Sequence, residues 1–431
     1  MTVSALDTAT TSTARPTRGV AAVVAPFGTG SHYRAEVTDR GWDCVAVTLS
    51  DALLPAMYRG ALDPVGYRDV VVHDGDMQRT ARALRELEVS AILAGTEIGV
   101  PLAEILAHRL GLPGNDPRTS ELRRNKGAMA EALRHAGLDA PRSLRTDRLG
   151  EALDWAERQP GGEFVLKPAD SGGSDGVAFC SGPADLRAAW GRLHQVPNAL
   201  GGPNDELVVQ ERLVGQQYVV NSVSAPAPGS GVPRHAFTEV WADHRTGLLC
   251  DRLDLLQPSR LIPRQLALYT ARVLDALGVR TGPAHTEVMW VPRRGAVLIE
   301  TGARPEGSYD VAAMREATDS DHVRDAVFAA LTGRPTLHAD ARRPPRLVTK
   351  VSLIAPQDGA LDEALLAELL ALPTVTGHVG ALTPGAPITR TVDLLTSPGR
   401  LTLASDSADA INADHQAIRA LEGRGLYGVQ R

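Results

Sequence analysis

Residues 164–176 read FVLKPADSGGSDG, an apolar run that leads through Lys167 into a loop rich in glycine and serine. The apolar run predicts a buried strand that ends where the loop begins. Glycine lets a backbone turn without a Cβ in the way, so the N–H groups of this loop can approach a phosphate closely. With the ammonium of Lys167, the loop is typical of a polyphosphate site. The candidate phosphate contacts are Ser171, Gly172, Gly173, Ser174 and Gly176.

Two glutamates follow on neighbouring predicted strands. Glu287 lies in the alternating segment 284–291, and Glu300 ends the apolar run 296–299, which reads AVLI. A carboxylate buried at the end of such a run is costly unless a cation compensates its charge. Mg²⁺ prefers a few carboxylates together with phosphate oxygens and water. Glu287 and Glu300 are therefore the candidate ligands for Mg²⁺, which Mn²⁺ can replace.

Composition sets the outer limits of the interpretation. The chain has 431 residues, 43% of them hydrophobic, with a mean hydropathy of −0.12, which predicts a globular protein of two to four domains or lobes. Its net charge of −6 argues against a nucleic-acid-binding surface, because affinity for a phosphate backbone needs clustered basic residues. Cys44, Cys180 and Cys250 lie far apart, which suits a reducing cytoplasm and predicts neither a disulfide framework nor a zinc site.

Neither a membrane span nor a secretion signal is predicted. The apolar segment 364–372 is interrupted by Glu368, and the run at 20–25 is too short to cross a bilayer. Residues 1–18 are rich in Ser, Thr and Ala and lack the apolar middle of a signal peptide. They predict a disordered tail.

Strand-like and helix-like segments alternate in the first quarter of the chain, which predicts a doubly wound parallel sheet. The apolar runs lie at residues 19–24, 41–49, 68–73 and 91–94, and the helical patterns between and after them at 31–40, 76–88 and 98–110. We therefore expect an N-terminal α/β domain over residues 19–117.

The rest of the chain is predicted to form three further parts. A small lobe covers 118–206, with a helix over 120–136, and a large lobe covers 207–345, with a helix over 264–277. A break rich in Pro and Arg at 333–346 precedes a C-terminal α+β segment over 346–431. Strands are expected there near 347–354 and 388–395.

In this order, the motifs resemble those of the ATP-grasp superfamily, and most closely its carboxylate–amine ligases, which include the L-amino-acid ligases. Residues 124–129, RNKGAM, are similar to the first lysine segment of the family, with Asn125 where an aspartate is usual. The resemblance implies that Lys126 contacts the α-phosphate of ATP and that Lys167 bridges phosphate and adenine. It also implies that the glycine loop closes over the β- and γ-phosphates.

Residues 210–217, QERLVGQQ, resemble the strand and hinge that hold adenine in this family. The resemblance implies adenine contacts from Gln210, Glu211 and the backbone of Leu213. Gln217 stands where a glutamate usually binds the ribose hydroxyls, and a glutamine can accept from one of them more weakly.

Residues 282–287 and 298–304 resemble the two metal-bearing strands of the family, with Glu287 and Glu300 as the ligands. Gly302 stands where many members have a metal-binding asparagine. Arg304 matches the arginine that binds the substrate carboxylate and its acyl phosphate. Gly307 and Ser308 are small and indicate a roomy acyl pocket beside it.

Four further residues are candidates near the substrates. His285 shares a strand face with Glu287 and is expected to hydrogen-bond to substrate or carboxylate. Ser31 or His32 follows the Gly-Thr-Gly segment at 28–30, which lacks the third glycine of a dinucleotide site, and we expect an amine contact there instead. Glu97 follows the fourth strand, at the edge where ligands gather in open sheets, and is the candidate for a substrate ammonium.

The resemblance implies an α/β ATP-grasp fold, with an N-terminal parallel-sheet domain and a C-terminal segment that closes the cleft. It implies a ligase that uses ATP and Mg²⁺ to activate a small carboxylate as an acyl phosphate, with Arg304 and Lys167 in catalysis. An amine then displaces phosphate to form an amide, as in specialised metabolite biosynthesis. A cytoplasmic homodimer is expected.

Two alternatives remain open. A carboxylase or glycinamide-type ligase of primary metabolism would keep the fold and change the acceptor. A non-catalytic ATP-binding regulator would explain the departures at Gln217 and Gly302, although both lysines and both glutamates are present.

Overall fold

A computed structural model of the chain describes residues 18–227, 229, 231–318, 321–336 and 346–428. The tail predicted for residues 1–18 lies outside this part, except for its last residue. None of the helices within these ranges combines the length and apolar character that a bilayer crossing requires. Cys44, Cys180 and Cys250 are free and buried.

The N-terminal sheet is parallel, and its strands follow the order β3-β2-β1-β4. The strands are β1 (Val20–Val24), β2 (Asp43–Leu49), β3 (Asp69–His73) and β4 (Val89–Ala94), and the helices are α1 (Tyr33–Asp39), α2 (Met77–Glu86) and α3 (Val100–Leu110). Alternate residues of β1 face opposite sides: Ala21 and Val23 pack towards α1, whereas Val20 packs towards α2 and α3. The predicted alternation of strands and helices and the parallel sheet are confirmed.

Glycines pack tightly where this sheet ends. A Cβ on Gly30 would lie 2.4 Å from the Cα of Gly95, and a Cβ on Gly95 would lie 2.5 Å from the carbonyl oxygen of Ala25. This close approach brings two loops together, and each carries a residue that borders the cleft described below. They are Thr29 and Glu97.

Gly30→Ala should therefore destabilise the protein by about 1–3 kcal/mol, because the added methyl group meets backbone that cannot rotate away. Gly150→Ala is the matched control, since it adds the same group in open space at the start of a helix, where alanine is better than glycine by about 0.5–1 kcal/mol. Urea denaturation of both variants measures the difference. Equal stabilities would contradict the packing described here.

The second sheet is antiparallel and follows the order β5-β8-β6-β7. Its strands are β5 (Ser143–Thr146), β6 (Phe164–Pro168), β7 (Ala178–Cys180) and β8 (Leu207–Glu211), and its helices are α4 (Lys126–His135), α5 (Leu149–Glu157) and α6 (Pro183–Leu193). The helix expected over 120–136 is interrupted: a 3-10 helix spans Pro117–Arg123, and α4 begins at Lys126. Asn125 caps α4, because its Oδ1 accepts from the N–H groups of residues 127 and 128.

The largest sheet has eight antiparallel strands in the order β13-β12-β9-β10-β11-β14-β18-β16. Its first five strands in the chain are β9 (Gln216–Pro226), β10 (Pro233–Thr246), β11 (Leu249–Leu255), β12 (Gly282–Val291) and β13 (Gly295–Gly302), with helices α7 (Leu261–Ala276), α8 (Val311–Ala317) and α9 (His322–Thr332). One hydrophobic core joins this sheet to the N-terminal sheet, since Val23 and Val37 cluster with Trp241 and Val323.

The C-terminal segment extends the same sheet. It contributes β14 (Leu347–Ser352), β16 (Val375–Val379) and β18 (Arg400–Ser405) to it, and a small separate sheet from β15 (Gly359–Leu361), β17 (Pro387–Ile388) and β19 (Tyr427–Gly428). Its helices are α10 (Glu363–Leu370) and α11 (Ala408–Gly423).

The strand expected near 388–395 is wrong, because β17 ends at Ile388. The following backbone is held by local side chains instead: Thr396 Oγ1 accepts from the N–H groups of Val392 and Asp393, at 2.9 and 3.0 Å. Such side-chain bonds give the backbone an alternative to a strand ladder. The segment therefore forms a loop, and its Leu395 reaches the cleft.

Candidate active site

A cavity of about 420 Å³ lies where the three large sheets meet. Its walls come from the end of the N-terminal sheet, from the glycine loop, from the ends of β12 and β13, and from the loop that follows β17. Most of the predicted site residues line it: Glu97, Lys126, Lys167, Ser171, Gly172, Gly173, Ser174, Gln210, Leu213, Gln217, His285, Glu287, Glu300, Arg304, Gly307 and Ser308. Gly176 and Glu211 do not.

Lys126 enters the cavity from the first turn of α4. Its Nζ lies 2.9 Å from Glu300 Oε2 and donates to the carbonyl oxygen of Ser171 in the glycine loop. Burial opposes the charge of the ammonium, but the attraction of Glu300 and other carboxylates outweighs it and raises the pKa of Lys126. This lysine therefore links the glycine loop to the strand that carries Glu300.

Lys167 is placed differently, because it is buried without a partner. It is 4% exposed on β6, and its ammonium forms no hydrogen bond or ion pair with any residue that the structure describes. Burial, with repulsion from Lys126, lowers the pKa of Lys167 to about 8, although Glu300 and Glu287 act against this. An unpaired buried cation favours an anionic ligand in the cavity.

Glu287 and Glu300 lie directly opposite each other on β12 and β13. Like charges in that position destabilise a sheet unless cations compensate them. Gln217 donates to Glu287 Oε2 at 2.9 Å, and His285 Nε2 lies 3.7 Å from Glu287 Oε1. Burial would raise the pKa of Glu287, but His285, Arg245 and Arg304 together hold it well below its ordinary value.

These two carboxylates are the candidate ligands for a metal. Among the described residues, no group of three or more His, Cys, Asp or Glu side chains is arranged around one point. Two carboxylates suit Mg²⁺, which takes its remaining ligands from phosphate oxygens and water. The pair therefore fits a magnesium ion that arrives with a nucleotide.

A buried network fixes the orientation of His285. Asn221 donates from Nδ2 to Glu239 and Glu306, at 3.0 and 2.7 Å, so its Oδ1 faces His285 Nδ1 at 3.0 Å. An amide oxygen only accepts, so Nδ1 of the imidazole carries the proton. Nε2 is then the nitrogen that points to Glu287. Glu306 is held in turn by Lys350 at 2.8 Å.

Arg304 pairs with a carboxylate of the N-terminal domain. Its Nε donates to Glu97 Oε2 at 3.0 Å, and both side chains are 17% exposed. Arg124 Nε lies 3.6 Å from the other oxygen of Glu97. The candidate residue for a substrate ammonium and the candidate residue for a substrate carboxylate are therefore in contact.

The predicted adenine end is formed by Gln210 and Leu213, which line the cavity. The carboxylate of Glu211 lies outside it and accepts from Arg142 and Arg294, at 2.9–3.0 Å. Any contact from Glu211 to a bound base has to come from its backbone.

Two side-chain hydrogen bonds hold the glycine loop, one within the loop and one from Arg245. Ser171 Oγ donates to Asp175 Oδ2 at 2.7 Å, and Arg245 Nη1 donates to Ser174 Oγ at 3.4 Å. Gly176 has a positive φ of 67°, and a Cβ there would lie 2.9 Å from the ring of Pro168. Gly176 therefore closes the turn at the base of the loop and does not reach the cavity itself.

Gly173 has a left-handed backbone and lies under Leu395, so Gly173→Ala should raise the KM for ATP by roughly 10-fold, since a side chain at such a φ costs about 1–2 kcal/mol and the new Cβ also meets Leu395. Its φ is +69°, and a Cβ would lie 2.6 Å from Leu395 Cδ2. Gly191→Ala on α6 is the control, because nothing lies within 4 Å of its Cβ position, its φ is ordinary and it does not line the cavity. Steady-state kinetics compares the two. Adding Leu395→Ala to Gly173→Ala should recover part of the loss, and no recovery would contradict the assigned contact.

An aromatic pair lines one part of the cavity. Phe27 and Tyr58 stack with their ring centroids 4.9 Å apart, and Met57 lies beside them with 51% of its surface exposed. Ser308 has a positive φ of 53° and also lines the cavity. Ser31 and His32, which were expected to contact the amine, do not line the cavity.

Several residues of the site were not predicted. Arg124, Asp243, Arg245, Glu306 and Arg400 approach the cavity or its lining residues. Arginine is common in this chain, so its position alone carried no signal. Lysine did carry one: the chain has three, and Lys126, Lys167 and Lys350 are all buried at or beside the cavity.

No family model matches the chain. Dapdiamide A synthase of Enterobacter agglomerans is 29% identical over 361 residues, which cover 82% of this chain and 84% of that protein. Alanine–anticapsin ligase of Bacillus subtilis is 21% identical over 240 residues, which cover 51% of this chain and 49% of that protein.

Solved structures resemble the whole fold. The L-amino acid ligase from Bacillus licheniformis has a TM-score of 0.74 and 16% identity, and the alignment covers 94% of this chain and 98% of that one. N5-carboxyaminoimidazole synthetase from Staphylococcus aureus, complexed with ADP, has a TM-score of 0.70 and 13% identity over the same shares. At such identities these structures show that the fold is shared.

Proposed function

Because this chain is an ATP-dependent ligase of the ATP-grasp superfamily, as its homologues and structural neighbours are, we propose that it joins a carboxylate to an amine through an acyl phosphate. ADP and phosphate are released. The observation that carries the proposal is the convergence of Lys126, Lys167, Glu287, Glu300 and Arg304 on one cavity.

The nucleotide would bind in the part of the cavity that the glycine loop and the ends of β12 and β13 line. Gln210, the backbone of Glu211 and Leu213, and Gln217 would contact adenine and ribose. Lys126 and Lys167 would pair with the phosphates, and the loop at 171–174 would supply N–H donors. ATP would thus give Lys167 the partner that it lacks. Gly176 would act by shaping the loop.

Glu287 and Glu300 would hold Mg²⁺, or Mn²⁺ in its place. When bound, the ion supplies charge neutralisation at the transferred phosphoryl group. Gln217 donates to Glu287 and so keeps one of its oxygens oriented. Its neutral amide adds no third negative charge between the two carboxylates.

Arg304 would hold the carboxylate that attacks the γ-phosphorus, in a two-point pair that a guanidinium is shaped to make. Lys167 would offset charge on the phosphoryl group as it moves. His285, whose Nε2 faces Glu287, would hydrogen-bond to the reacting carboxylate or to the metal ligand. Each of these groups lines the cavity.

An amine would then displace phosphate from the acyl phosphate. Arg304 and loop N–H groups would stabilise the oxyanion of the tetrahedral intermediate, an effect of roughly 3 kcal/mol per donor in other enzymes. Gly307 and Ser308 leave room beside Arg304 for the acyl group. Residues 19–117 would shape the acceptor site, and residues 346–431 would close the cleft, where Leu395 already contacts the glycine loop.

We propose an amino acid as the acid and a second amino acid or an unusual amine as the acceptor. The names of dapdiamide A synthase and alanine–anticapsin ligase support this choice, since both describe small amides or an alanine ligation. The cytoplasmic location and the homodimer both remain predictions, and sedimentation of the purified protein would test the homodimer.

The test is to incubate the protein with ATP, Mg²⁺ and a panel of amino acids and amines, and to resolve nucleotides and amides by mass spectrometry. We expect ADP with phosphate, and a hydroxamate when hydroxylamine replaces the amine. AMP with pyrophosphate would indicate adenylation and reject the mechanism. ATP binding without any ADP release would indicate the non-catalytic regulator instead.

A further inference from the structure

Glu97 forms an ion pair with Arg304, the arginine proposed to bind the substrate carboxylate. It follows β4 of the N-terminal sheet, and its Oε2 accepts from Arg304 Nε at 3.0 Å. Arg304 is largely buried, and burial opposes its charge, but Glu97 and other carboxylates raise the pKa of its guanidinium. The contact joins residues 207 positions apart, so the tertiary fold creates it.

The chain makes room for this contact at Gly302. A Cβ at that position would lie 2.6 Å from Glu97 Oε2 and 3.4 Å from Arg304 Nε. Any other side chain at 302 would therefore have to displace the carboxylate of Glu97. The ion pair between Glu97 and Arg304 therefore depends on a glycine at position 302.

A second cation lies on the far side of the same carboxylate. Arg124 Nε is 3.6 Å from Glu97 Oε1, and this buried nitrogen has no hydrogen-bond partner among the described residues. Arg124 is also tied to Asp170 at the start of the glycine loop, at 3.0 Å. Glu97 thus fills a place between two guanidinium groups where an anionic ligand would otherwise fit.

We propose that Glu97 competes with the substrate carboxylate for Arg304. Only a substrate that carries both a carboxylate and a neighbouring ammonium displaces Glu97 from Arg304. This inference rests on the proposed function and names the residues that would make the site select an amino acid over a carboxylic acid without an amino group. The incoming carboxylate takes Arg304, and the ammonium takes Glu97, so one ion pair is exchanged for two. A simple carboxylic acid would instead take Arg304 from Glu97 and leave this largely buried carboxylate with Arg124 alone, at 3.6 Å, which is unfavourable.

The experiment compares matched acids by ADP release and by hydroxamate formation. Alanine, leucine and phenylalanine are each paired with the acid in which hydrogen replaces the amino group: propionate, 4-methylpentanoate and 3-phenylpropionate. For the pair whose amino acid is turned over best, kcat/KM should favour the amino acid by roughly 100-fold or more, as sites built around a polar group reject analogues that lack it.

Glu97→Gln should lower this ratio by at least roughly 10-fold, because the amide neither competes fully for Arg304 nor holds an ammonium. Gly302→Ala should lower it too, although it keeps Glu97, because the new Cβ displaces that carboxylate. Gly150→Ala should leave the ratio unchanged. The affinity for ATP and the melting temperature verify that each variant is folded.

The outcomes separate this inference from the proposal beneath it. ADP release with the deaminated acid at the rate seen with the amino acid would overturn the role of Glu97 and leave the ligase assignment standing. An unchanged ratio in both Glu97→Gln and Gly302→Ala would do the same. ADP release with no acid at all would overturn the proposed function and this inference with it.

Discussion

Lys167→Met is expected to reduce ATP turnover by on the order of 10³-fold or more, because the variant loses a buried cation aimed at a transferred phosphoryl group. The fold should be at least as stable as before. Lys167 is 4% exposed and pairs with no described residue. Its charge therefore lowers the free energy of unfolding, and no ion pair is lost when it is removed. Activity is measured by ADP release, and stability by denaturation.

The pH dependence of stability gives an independent check. The pKa of Lys167 in the folded state, about 8, lies below its ordinary value of 10.5, so its charge destabilises the fold below pH 8. That cost disappears between pH 8 and 10.5, over which the wild type should gain roughly 3 kcal/mol relative to Lys167→Met. Arg187→Met, an exposed change on α6, serves as the control. Normal turnover, or parallel stability curves, would contradict the assignment.

Glu300→Gln should also lower turnover by on the order of 10³-fold or more, since it removes one of only two carboxylates proposed for the metal. Unlike the lysine variant, it should be less stable, because Lys126 loses the carboxylate at 2.9 Å and stays buried. The measurements are ADP release over a range of Mg²⁺ concentrations and chemical denaturation without nucleotide.

A double variant separates the two effects of Glu300. Adding Lys126→Met to Glu300→Gln removes the stranded charge and should recover stability without recovering activity. Glu163→Gln breaks an exposed pair with Arg212 and should change stability by less than about 1 kcal/mol. Near-normal activity of Glu300→Gln would remove the metal site from the proposal.

Much of the fold could be predicted because the hydrophobic pattern of each segment and the order of the segments along the chain indicate the same fold. The alternating strands and helices of the N-terminal sheet are confirmed, and so are the α/β class, the ATP-grasp resemblance and the ligase assignment. The strand expected at 388–395 was wrong, because Thr396 Oγ1 accepts from the N–H groups of Val392 and Asp393 and holds the segment as a loop.

The site was harder to predict where it depends on distant contacts. Gly302 looked like the loss of a metal ligand, and only the fold shows that its missing Cβ admits Glu97. Gln217 looked like a weakened ribose contact, and the structure shows its amide on Glu287. Neither partner is near in sequence, so no local pattern could indicate the pairing.

The alternative of primary metabolism receives little support from the structures. N5-carboxyaminoimidazole synthetases share the fold at 11–16% identity, which does not extend to their reaction. Dapdiamide A synthase is similar at 29% identity over most of both chains. The assay with amino acids and amines remains the direct test between these reactions.

The distribution of side-chain amines has a practical consequence. Since every lysine of this chain is buried at or beside the cavity, acylating reagents find no lysine on the outer surface to consume them. Lys167, with its pKa near 8, should react first at mildly alkaline pH, since more of it is uncharged there than of Lys126. Peptide mapping after brief acylation would then report occupancy of the nucleotide cleft directly, with ATP slowing the modification.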